Sequence, residues 1–508
     1  MKLNTKRTVF VGFAFFLICM FWQAYDVIIP KILTDKFGMP QSLSGIVMAL
    51  DNVLALFLLP LFGTLSDKTH SRFGKRTPFI VVGTLIAAAA LLLLSRADAM
   101  QSARLEKIDT LDEAALVELY DADLTISPAD QAGTVKLSDA ISRADFLAIS
   151  DYEAEGYTKY VVPARQAYAA RVRAENPGTL FLFIGVLFVL LVAMGTFRSP
   201  AVALMPDVTP KPLRSKANAI INLMGAVGGI LVLVLGILFG TGKEQNALMR
   251  FGGYFGVIAA IMVAALGVFL AFVREKRWTS ELAAAEGQQK AEQADAQTPS
   301  AAPTQRKMSR AELRSLLLIL ASAVLWFMGY NAVTSKYSVY AGQVLGLDYN
   351  ATLTIASAAA IVAYIPVGAI ASKVGRKKCI LAGVGMLAVA FGSAAFIREG
   401  ANIWLVNALF ALAGIGWATI NVNSYPMVVE LSRDSDIGRY TGFYYTATMA
   451  AQTITPILSG VFMDIRFTLL FPYATLFVVA ALFTMLFVKH GDNKPQAEKG
   501  IEAFDALE

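Results

Sequence analysis

Hydrophobic residues occur along this chain in twelve long blocks that polar segments separate. Six blocks lie in the first half and six in the second, at residues 8–30, 42–65, 78–95, 179–205, 215–240 and 251–273, then 313–341, 351–372, 378–397, 403–427, 438–463 and 468–488. Blocks of about twenty apolar residues are long enough for an α-helix to cross a bilayer. They are too long and too evenly apolar for the strands of a membrane barrel. The pattern predicts an all-α membrane protein with twelve transmembrane helices in two pseudo-symmetric six-helix bundles.

Polar segments divide the chain further. The first bundle is predicted at residues 1–273, and residues 95–178 form an extracytoplasmic polar insertion within it. A cytoplasmic linker follows at 274–312, the second bundle at 313–489 and a cytoplasmic tail at 490–508. Residues 283–303 are rich in Ala, Gln, Glu and Pro, which is typical of a flexible linker. The insertion is either an external decoration that leaves function untouched or a lid that captures substrate.

Lysine and arginine predict the orientation of the helices. They cluster at the N-terminus and in the turns after blocks 2, 4, 6 and 8, which all lie on one side of the membrane: Lys2, Lys6, Arg7; Lys68, Arg72, Lys75, Arg76; Lys211, Arg214, Lys216; Arg274, Lys276, Arg277; Lys373, Arg376, Lys377, Lys378. Because basic residues favour the cytoplasmic side, we expect both termini in the cytoplasm. The expected location is the plasma membrane, that is, the cell inner membrane, with many passes.

Composition excludes several other classes of protein. Hydrophobic residues make up 56% and charged residues 16% of the 508 positions, whereas a soluble protein is about one quarter charged. The net charge of +6 arises beside the predicted helices, so it does not indicate nucleic-acid binding. Cys19 and Cys379 imply no disulfide framework. The sequence shows neither metal-ligand spacing nor a catalytic constellation, and Gly74–Thr77 lacks the upstream glycine of a Walker A loop, so we expect no cofactor, no metal and no enzymatic activity.

A basic signature stands between the second and third blocks. It reads Gly63-Thr-Leu-Ser-Asp67, followed by Arg72-Phe-Gly-Lys-Arg76, and a weaker echo follows block 8 at residues 368–378. Asp67 is placed to pair with Arg72 or Arg76, and Gly63 allows close backbone approach. The signature predicts a cytoplasmic gate that is latched in the outward-facing state. Alternatively, the basic residues only set orientation.

This layout resembles the major facilitator superfamily. Residues 66–79 resemble the glycoside–pentoside–hexuronide cation symporters, and more narrowly their sucrose/proton symporter-like branch, as do residues 200–209 and the Gly414-Ile-Gly-Trp417 stretch. The resemblance implies two six-helix bundles around a central cavity, and a sugar or glycoside that moves with a cation. Sodium-coupled members of the clan carry two carboxylates before the Pro60…Gly63 step, but Ala55 and Leu59 stand there in this chain. The coupling ion is therefore expected to be a proton.

Charged residues inside the first six blocks are candidates for binding and coupling, because a charge in the membrane interior usually faces a cavity. Asp26 lies one turn after Trp22, and an aromatic ring beside a carboxylate suits a sugar. Asp51 lies near the middle of the second block, and Asp51 or Asp26 is expected to load and release the proton. Arg198 needs an acidic partner from the same half and is expected to hold substrate. The alternatives are a structural hydrogen bond for Asp51 and snorkelling to the headgroups for Arg198.

Amides and aromatic rings mark the second half. Tyr330 and Asn331 lie on the seventh block, Asn421 on the tenth and Gln452 on the eleventh. Such groups suit a neutral polyhydroxylated ligand, although aromatic residues in membrane helices are more often packing residues. We expect these four to bind substrate.

The leading hypothesis is a secondary active transporter that couples sugar or glycoside uptake to protons by rocker-switch alternating access. Two alternatives stay open at this point: a uniporter or exporter of another small organic solute, and a polytopic membrane sensor.

Overall fold

The computed structural model describes residues 4–129, 131–152, 154, 156–210, 213–294, 309–431 and 437–492. Twelve helices, here numbered α1 to α12, form two bundles. The first bundle contains α1 Thr5–Lys31, α2 Gln41–Lys68, α3 Thr77–Arg104, α4 Gly178–Val208, α5 Arg214–Phe239 and α6 Gly252–Phe272. The second bundle contains α7 Arg310–Tyr340, α8 Tyr349–Val374, α9 Arg376–Ala394, α10 Ile403–Val429, α11 Ile437–Ile465 and α12 Leu470–Leu486.

Local sequence signals set many helix boundaries. The side chain of Asn4 accepts a hydrogen bond from the backbone of α1, and Asn402 does the same for α10. Ser309 begins α7 with a capping box, in which side chains satisfy backbone N–H groups that have no partner inside the helix. Gly240 ends α5 with a φ of 66°, a left-handed conformation that glycine adopts without strain.

Ten of these helices are long and apolar enough to cross a membrane, as judged over the described residues. In α8 the described residues give a shorter apolar stretch, Tyr349–Tyr364, whereas α11 contains more polar side chains; both helices pack across the interface between the bundles. A helix that faces protein rather than lipid on one side tolerates polar groups better. The prediction of two six-helix bundles is confirmed.

The two bundles repeat the same packing. Within the first, α1 packs on α5 and α6, α3 packs on α4 and α6, and α2 packs on α4. Within the second, α7 packs on α11 and α12, α9 on α10 and α12, and α8 on α10. Both first helices also continue into a π-helical turn, Ile32–Lys36 in one half and Ala341–Leu345 in the other. The sequence halves therefore fold as structural repeats.

Two predicted boundaries differ from the structure. The helix α3 continues to Arg104 rather than ending at residue 95, because polar side chains beyond that point are buried and paired. Lys36 donates to the Asp98 carboxylate, and the Gln101 amide donates to the Lys36 carbonyl over 2.8 Å. The linker contains the helix Glu275–Ala294, since its alanine, glutamate and glutamine residues favour helix. The predicted flexible segment is thus helical over 283–294, and residues 295–303 lie outside the described part.

The insertion folds around a small core of its own. Its elements are the helices Glu113–Asp121, Leu137–Ala140, Arg143–Leu147 and Val162–Glu175, the turns Glu106–Ile108 and Tyr157–Val161, and a hairpin of Thr125–Ile126 with Val135–Lys136. Leu116, Leu119, Phe146 and Tyr157 are buried in this core. Leu248 from the loop between α5 and α6 joins them, so the insertion packs on the first bundle.

The bundles meet at their extracytoplasmic ends. Three helix pairs pack across the interface, α1 with α7, α2 with α11 and α5 with α8. At the α2–α11 crossing, Asp464 accepts hydrogen bonds from the backbone N–H groups of Gln41 (2.5 Å) and Ser42 (2.9 Å). A residue of the second bundle thereby caps the start of a helix in the first. Lys336 is buried beside it and donates to the Gln41 carbonyl over 2.6 Å.

The α5–α8 contact closes the same end. Thr241 lies 3.0 Å from the Tyr349 hydroxyl and accepts from the Asn350 amide over 3.1 Å. Between described residues, every hydrogen bond that joins the two bundles lies at this end. The structure is therefore an inward-facing state, closed on the extracytoplasmic side.

Glycine at the α2–α11 crossing makes this closure possible. A Cβ built on Gly460 would collide with the Gln41 backbone, and one on Gly45 would collide with the Pro456 carbonyl. We predict that Gly460→Ala opens the extracytoplasmic end, because overpacking costs about 1–3 kcal/mol. Labelling of Ser44→Cys by an impermeant thiol reagent, in a background without native cysteines, should become about tenfold faster.

Gly185→Ala is the control for this experiment, because a Cβ there meets no atom within 4 Å. Equal labelling rates in the Gly460→Ala and Gly185→Ala proteins would contradict the prediction.

Candidate functional site

Three charged side chains of the first bundle converge in its interior. Asp26 lies on α1, Asp51 on α2 and Arg198 on α4, and the guanidinium interacts electrostatically with both carboxylates. The guanidinium carbon of Arg198 also lies 5.2 Å from the centre of the Trp22 ring. The structure thus gives Arg198 the acidic neighbours that the sequence analysis expected, and it places Trp22 in the same cluster. We call these four residues the charged cluster.

The charged cluster faces an internal space rather than lipid. Asp26 and Arg198 lie deep among protein atoms, yet the side chains of Asp26, Asp51 and Arg198 all keep accessible surface. A charged group with accessible surface inside a helical bundle is stable when that surface is wet. We interpret this accessible surface as the lining of a cavity whose closed end is the extracytoplasmic one.

An aromatic surface of the second bundle lies across the interface. The rings of Tyr330 on α7 and Trp417 on α10 stack with centroids 3.7 Å apart and an interplanar angle of 3°. Phe327 meets Trp417 edge to face at 5.1 Å. The Asn421 amide donates to the Tyr364 hydroxyl over 3.2 Å. Tyr330 interacts electrostatically with both Tyr364 and Asp26, so it brings this aromatic surface to the charged cluster.

Two predicted binding residues present donors without a protein partner. The Trp22 indole nitrogen and the Asn331 amide nitrogen are buried, and neither has a hydrogen-bond partner among the described residues. A buried donor without a partner costs about 1–3 kcal/mol. Water or a ligand in the cavity can remove that cost, which is the behaviour expected of binding groups.

The remaining predicted residue, Gln452, is not joined to this site by a described hydrogen bond, whereas two residues that were not predicted contact it. The Gln452 amide donates to the Thr448 carbonyl of its own helix over 3.3 Å, and no described hydrogen bond ties it to the charged cluster. Asn52 donates to Asp51 over 2.7 Å, and Tyr364 contacts Asn421. Neither Asn52 nor Tyr364 was among the predicted residues, although a polar residue beside an intramembrane acid was a usable signal for Asn52.

The predicted cytoplasmic gate forms a network within the first bundle. Arg76 binds Asp67 over 2.5 Å and Asp207 at the end of α4 over 2.8 Å, and it also donates to Ser66. Burial opposes the charged form of Arg76, but the carboxylates of Asp207 and Asp67 outweigh it and raise its pKa. The guanidinium therefore stays charged at physiological pH and joins the cytoplasmic ends of three helices.

Two other predicted gate residues lie around this network. The Gly63 carbonyl lies 3.4 Å from an Arg76 nitrogen, and a Cβ on Gly63 would meet the Ser199 hydroxyl. Arg72 stacks over the ring of Phe73 at 4.7 Å. In this inward-facing state the network joins helices of one bundle, so a latch between the bundles stays a prediction for the outward-facing state.

The second bundle repeats this network. Arg376 at the start of α9 binds Glu430 at the end of α10 over 2.7 Å, as Arg76 binds Asp207. The preceding glycines, Gly74 and Gly375, have φ values of 123° and 102°, a region that other residues rarely adopt. The similarity of residues 368–378 to the basic signature thus reflects a structural repeat.

In each bundle, an acidic residue that follows the last helix accepts hydrogen bonds from the backbone of the basic turn. Glu275 accepts from the backbone N–H groups of Lys75 (2.6 Å), Arg76 (2.9 Å) and Thr77 (2.8 Å). Asp492 accepts from the backbone of Lys377 over 2.9 Å. Neither cap is predicted by the sequence, because about two hundred residues separate Glu275 from its partners and local patterns do not report such pairs.

Comparison with known proteins agrees with this architecture. The family described as "Major Facilitator Superfamily" matches residues 167–362 and 349–506, and the one described as "MFS/sugar transport protein" matches residues 10–107. Proton-associated sugar transporter A from Homo sapiens and from Mus musculus is 43% identical over 60 residues. That stretch is 12% of this chain and 8% of each relative, so the match spans a small part of their length.

Solved structures share the fold over nearly the whole chain. The inward open conformation of the xylose transporter XylE from E. coli has a TM-score of 0.58 and 14% identity, covering 99% of this chain and 100% of that one. A D-xylose-proton symporter has a TM-score of 0.57 and 15% identity, covering 96% and 99%. A POT family transporter in complex with 5-aminolevulinic acid has a TM-score of 0.59 and 10% identity, covering 95% of both. These likenesses establish the fold.

The Glu275 cap gives a prediction about stability. Glu275→Gln removes the charge that three N–H groups share, so it should destabilise the protein by about 1–2 kcal/mol. Thermal unfolding of the detergent-solubilised protein measures this loss. Glu281→Gln on the same helix is the matched control, because Glu281 forms an exposed pair with Arg7 and its loss should change little. Equal unfolding temperatures for the two variants would argue against a capping role.

Proposed function

This chain belongs to the major facilitator superfamily, and we propose that it is a proton-coupled symporter of a sugar or glycoside. The observation that supports this most is the position of the charged cluster, which meets the stacked Tyr330 and Trp417 rings where the two bundles face each other. A membrane transporter of this fold binds its cargo between its halves. Alternating access then follows from rocking one bundle against the other.

The side chains at this place suit a neutral polyhydroxylated cargo. The aromatic surface offers a flat apolar face to the C–H groups of a sugar ring. The unpartnered Trp22 and Asn331 nitrogens offer donors, and Asp26 offers acceptors for hydroxyl groups. Arg198 already has two carboxylate neighbours, so it is a poor site for an additional anion. We therefore favour a neutral sugar or glycoside over an acidic cargo.

The charge balance of the cluster supports a proton as the coupling ion. Two carboxylates share one guanidinium, so the cluster contains one more acid than cations. Buried negative charge without compensation is costly, and one bound proton removes it. We propose Asp51 as the coupling residue, with Asp26 as the second candidate. Ala55 and Leu59 occupy the carboxylate positions of the sodium-coupled clan members, which also favours a proton.

The names of similar proteins support the same proposal. They include a D-xylose-proton symporter and proton-associated sugar transporters. Transporters of the POT family share the fold at a similar TM-score, so uniport or export of another small organic solute is the second candidate, and a membrane sensor ranks below both. Membership of the sucrose/proton symporter-like branch and location in the cell inner membrane stay predictions.

The coupling role of Asp51 is tested by Asp51→Asn. We expect this variant to lose uphill accumulation of cargo in proteoliposomes with an imposed proton gradient, because the neutral amide cannot release a proton. Exchange of labelled for unlabelled cargo should persist, since exchange needs no net proton movement. The assay compares both rates across a panel of sugars and glycosides.

Asp139→Asn, an exposed change in the insertion, is the control and should keep both activities. Concentrative uptake by Asp51→Asn at the control rate would assign the coupling role elsewhere.

The role of the aromatic surface is tested on α10. Trp417→Leu removes a stacked ring and should weaken cargo binding about two- to tenfold, given about 0.5–1.5 kcal/mol for an aromatic pair beyond its buried area. Trp404→Leu is the matched control, because Trp404 lies on the same helix and is 77% exposed. Thermal-shift titration with the glycoside panel measures both affinities. Equal affinities would remove Trp417 from the binding site.

A further inference from the structure

The insertion contacts both bundles through one short segment. In the turn Tyr157–Val161, the Thr158 hydroxyl donates to the Glu399 carboxylate over 2.8 Å. Glu399 lies in the loop between α9 and α10 of the second bundle, against Gly346 just beyond α7. The neighbouring Tyr157 hydroxyl donates to the Glu244 carbonyl, in the loop between α5 and α6 of the first bundle, over 3.2 Å.

The attachment to the first bundle is extensive and buried. Lys31 pairs with Glu244 over 2.8 Å and with Asp35 over 3.1 Å, and at most 8% of any of these three side chains is exposed. Asp35 also accepts from Gln166 of the insertion over 2.9 Å. Arg165 fixes the turn from within, since it donates to the Tyr157 hydroxyl over 3.0 Å.

The attachment to the second bundle is slight by comparison. Among described residues, a hydrogen bond from Thr158 to Glu399 joins the insertion to that bundle. It lies on the closed, extracytoplasmic side, beside the packed turns Tyr157–Val161 and Ala341–Leu345. The insertion is held by several buried contacts on the first bundle and by this hydrogen bond on the second. The hydrogen bond is therefore the contact that can break when the bundles move apart.

We infer that the insertion is a clasp on the extracytoplasmic gate, which moves with the first bundle and binds Glu399 only when that gate is closed. The clasp favours the inward-facing state, and its hydrogen bond to Glu399 must break before cargo enters from outside. This inference rests on the proposed alternating access, and it assigns the insertion a part in setting the balance between the two states.

The first test removes one hydroxyl. Thr158→Val keeps the shape of the side chain but loses its hydrogen bond to a carboxylate, so the outward-facing population should rise about tenfold. The readout is labelling of Ser44→Cys by an impermeant thiol reagent, in a background without Cys19 and Cys379. This readout needs no cargo, so it is independent of whether the proposed sugar is correct.

Thr110→Val is the matched control, because Thr110 makes the same kind of bond to Asp112 over 2.8 Å inside the insertion. Faster labelling in Thr158→Val alone supports the clasp. Labelling that matches the control overturns it.

A second test locks the contact. A short bifunctional thiol reagent applied to Thr158→Cys with Glu399→Cys should stop transport, and reduction of a cleavable linker should restore it. The pair Asp123→Cys with Lys136→Cys, whose native side chains pair over 2.7 Å within the insertion, should cross-link without inhibition. Transport that continues in the cross-linked Thr158–Glu399 protein would overturn the inference. Absence of transport before cross-linking would instead count against the proposed function.

Discussion

Lipid provides no hydrogen bonds and no solvation for charge, and the arrangement of polar groups in this protein follows from that constraint. The charged side chains of the membrane region are gathered where protein or cavity surrounds them. Asp26, Asp51 and Arg198 meet in the interior of the first bundle, and Lys36 with Asp98 form a buried pair near the extracytoplasmic end.

The polar contacts at the two ends of the molecule differ in which helices they join. At the cytoplasmic ends, ion pairs and caps such as Arg76 with Asp207 and Arg376 with Glu430 hold each bundle together. At the extracytoplasmic ends, the Asp464 cap on α2 and the Thr241 contacts join one bundle to the other. Under the proposed alternating access, bonds within a bundle are kept as the bundles rock, whereas bonds between bundles must break. This division lets each half move as a rigid body.

The two halves differ in the insertion, which is present in the first half. The insertion occupies the connection between α3 and α4, and Tyr157 and Gln166 anchor it to Glu244 and Asp35 of the first bundle. Lys31 pairs with both Asp35 and Glu244 inside the first bundle, so this anchoring moves with that bundle. The contact with Glu399 depends on the state of the gate, which gives an appended domain a physical means to bias a rocking motion.

The sequence by itself determined the twelve helices, their division into halves, the repeated basic turn and the side chains that could bind a cargo, because apolar length and charge position are local properties. It placed Asp26, Asp51, Arg198 and Tyr330 on separate helices but could not show that they meet. The tertiary structure decided that, together with the Glu275 cap, the burial of Asp98 and Gln101 that lengthens α3, and the closed end of the cavity. Each of these depends on partners far apart in the chain, and such pairings follow from packing rather than from any local pattern.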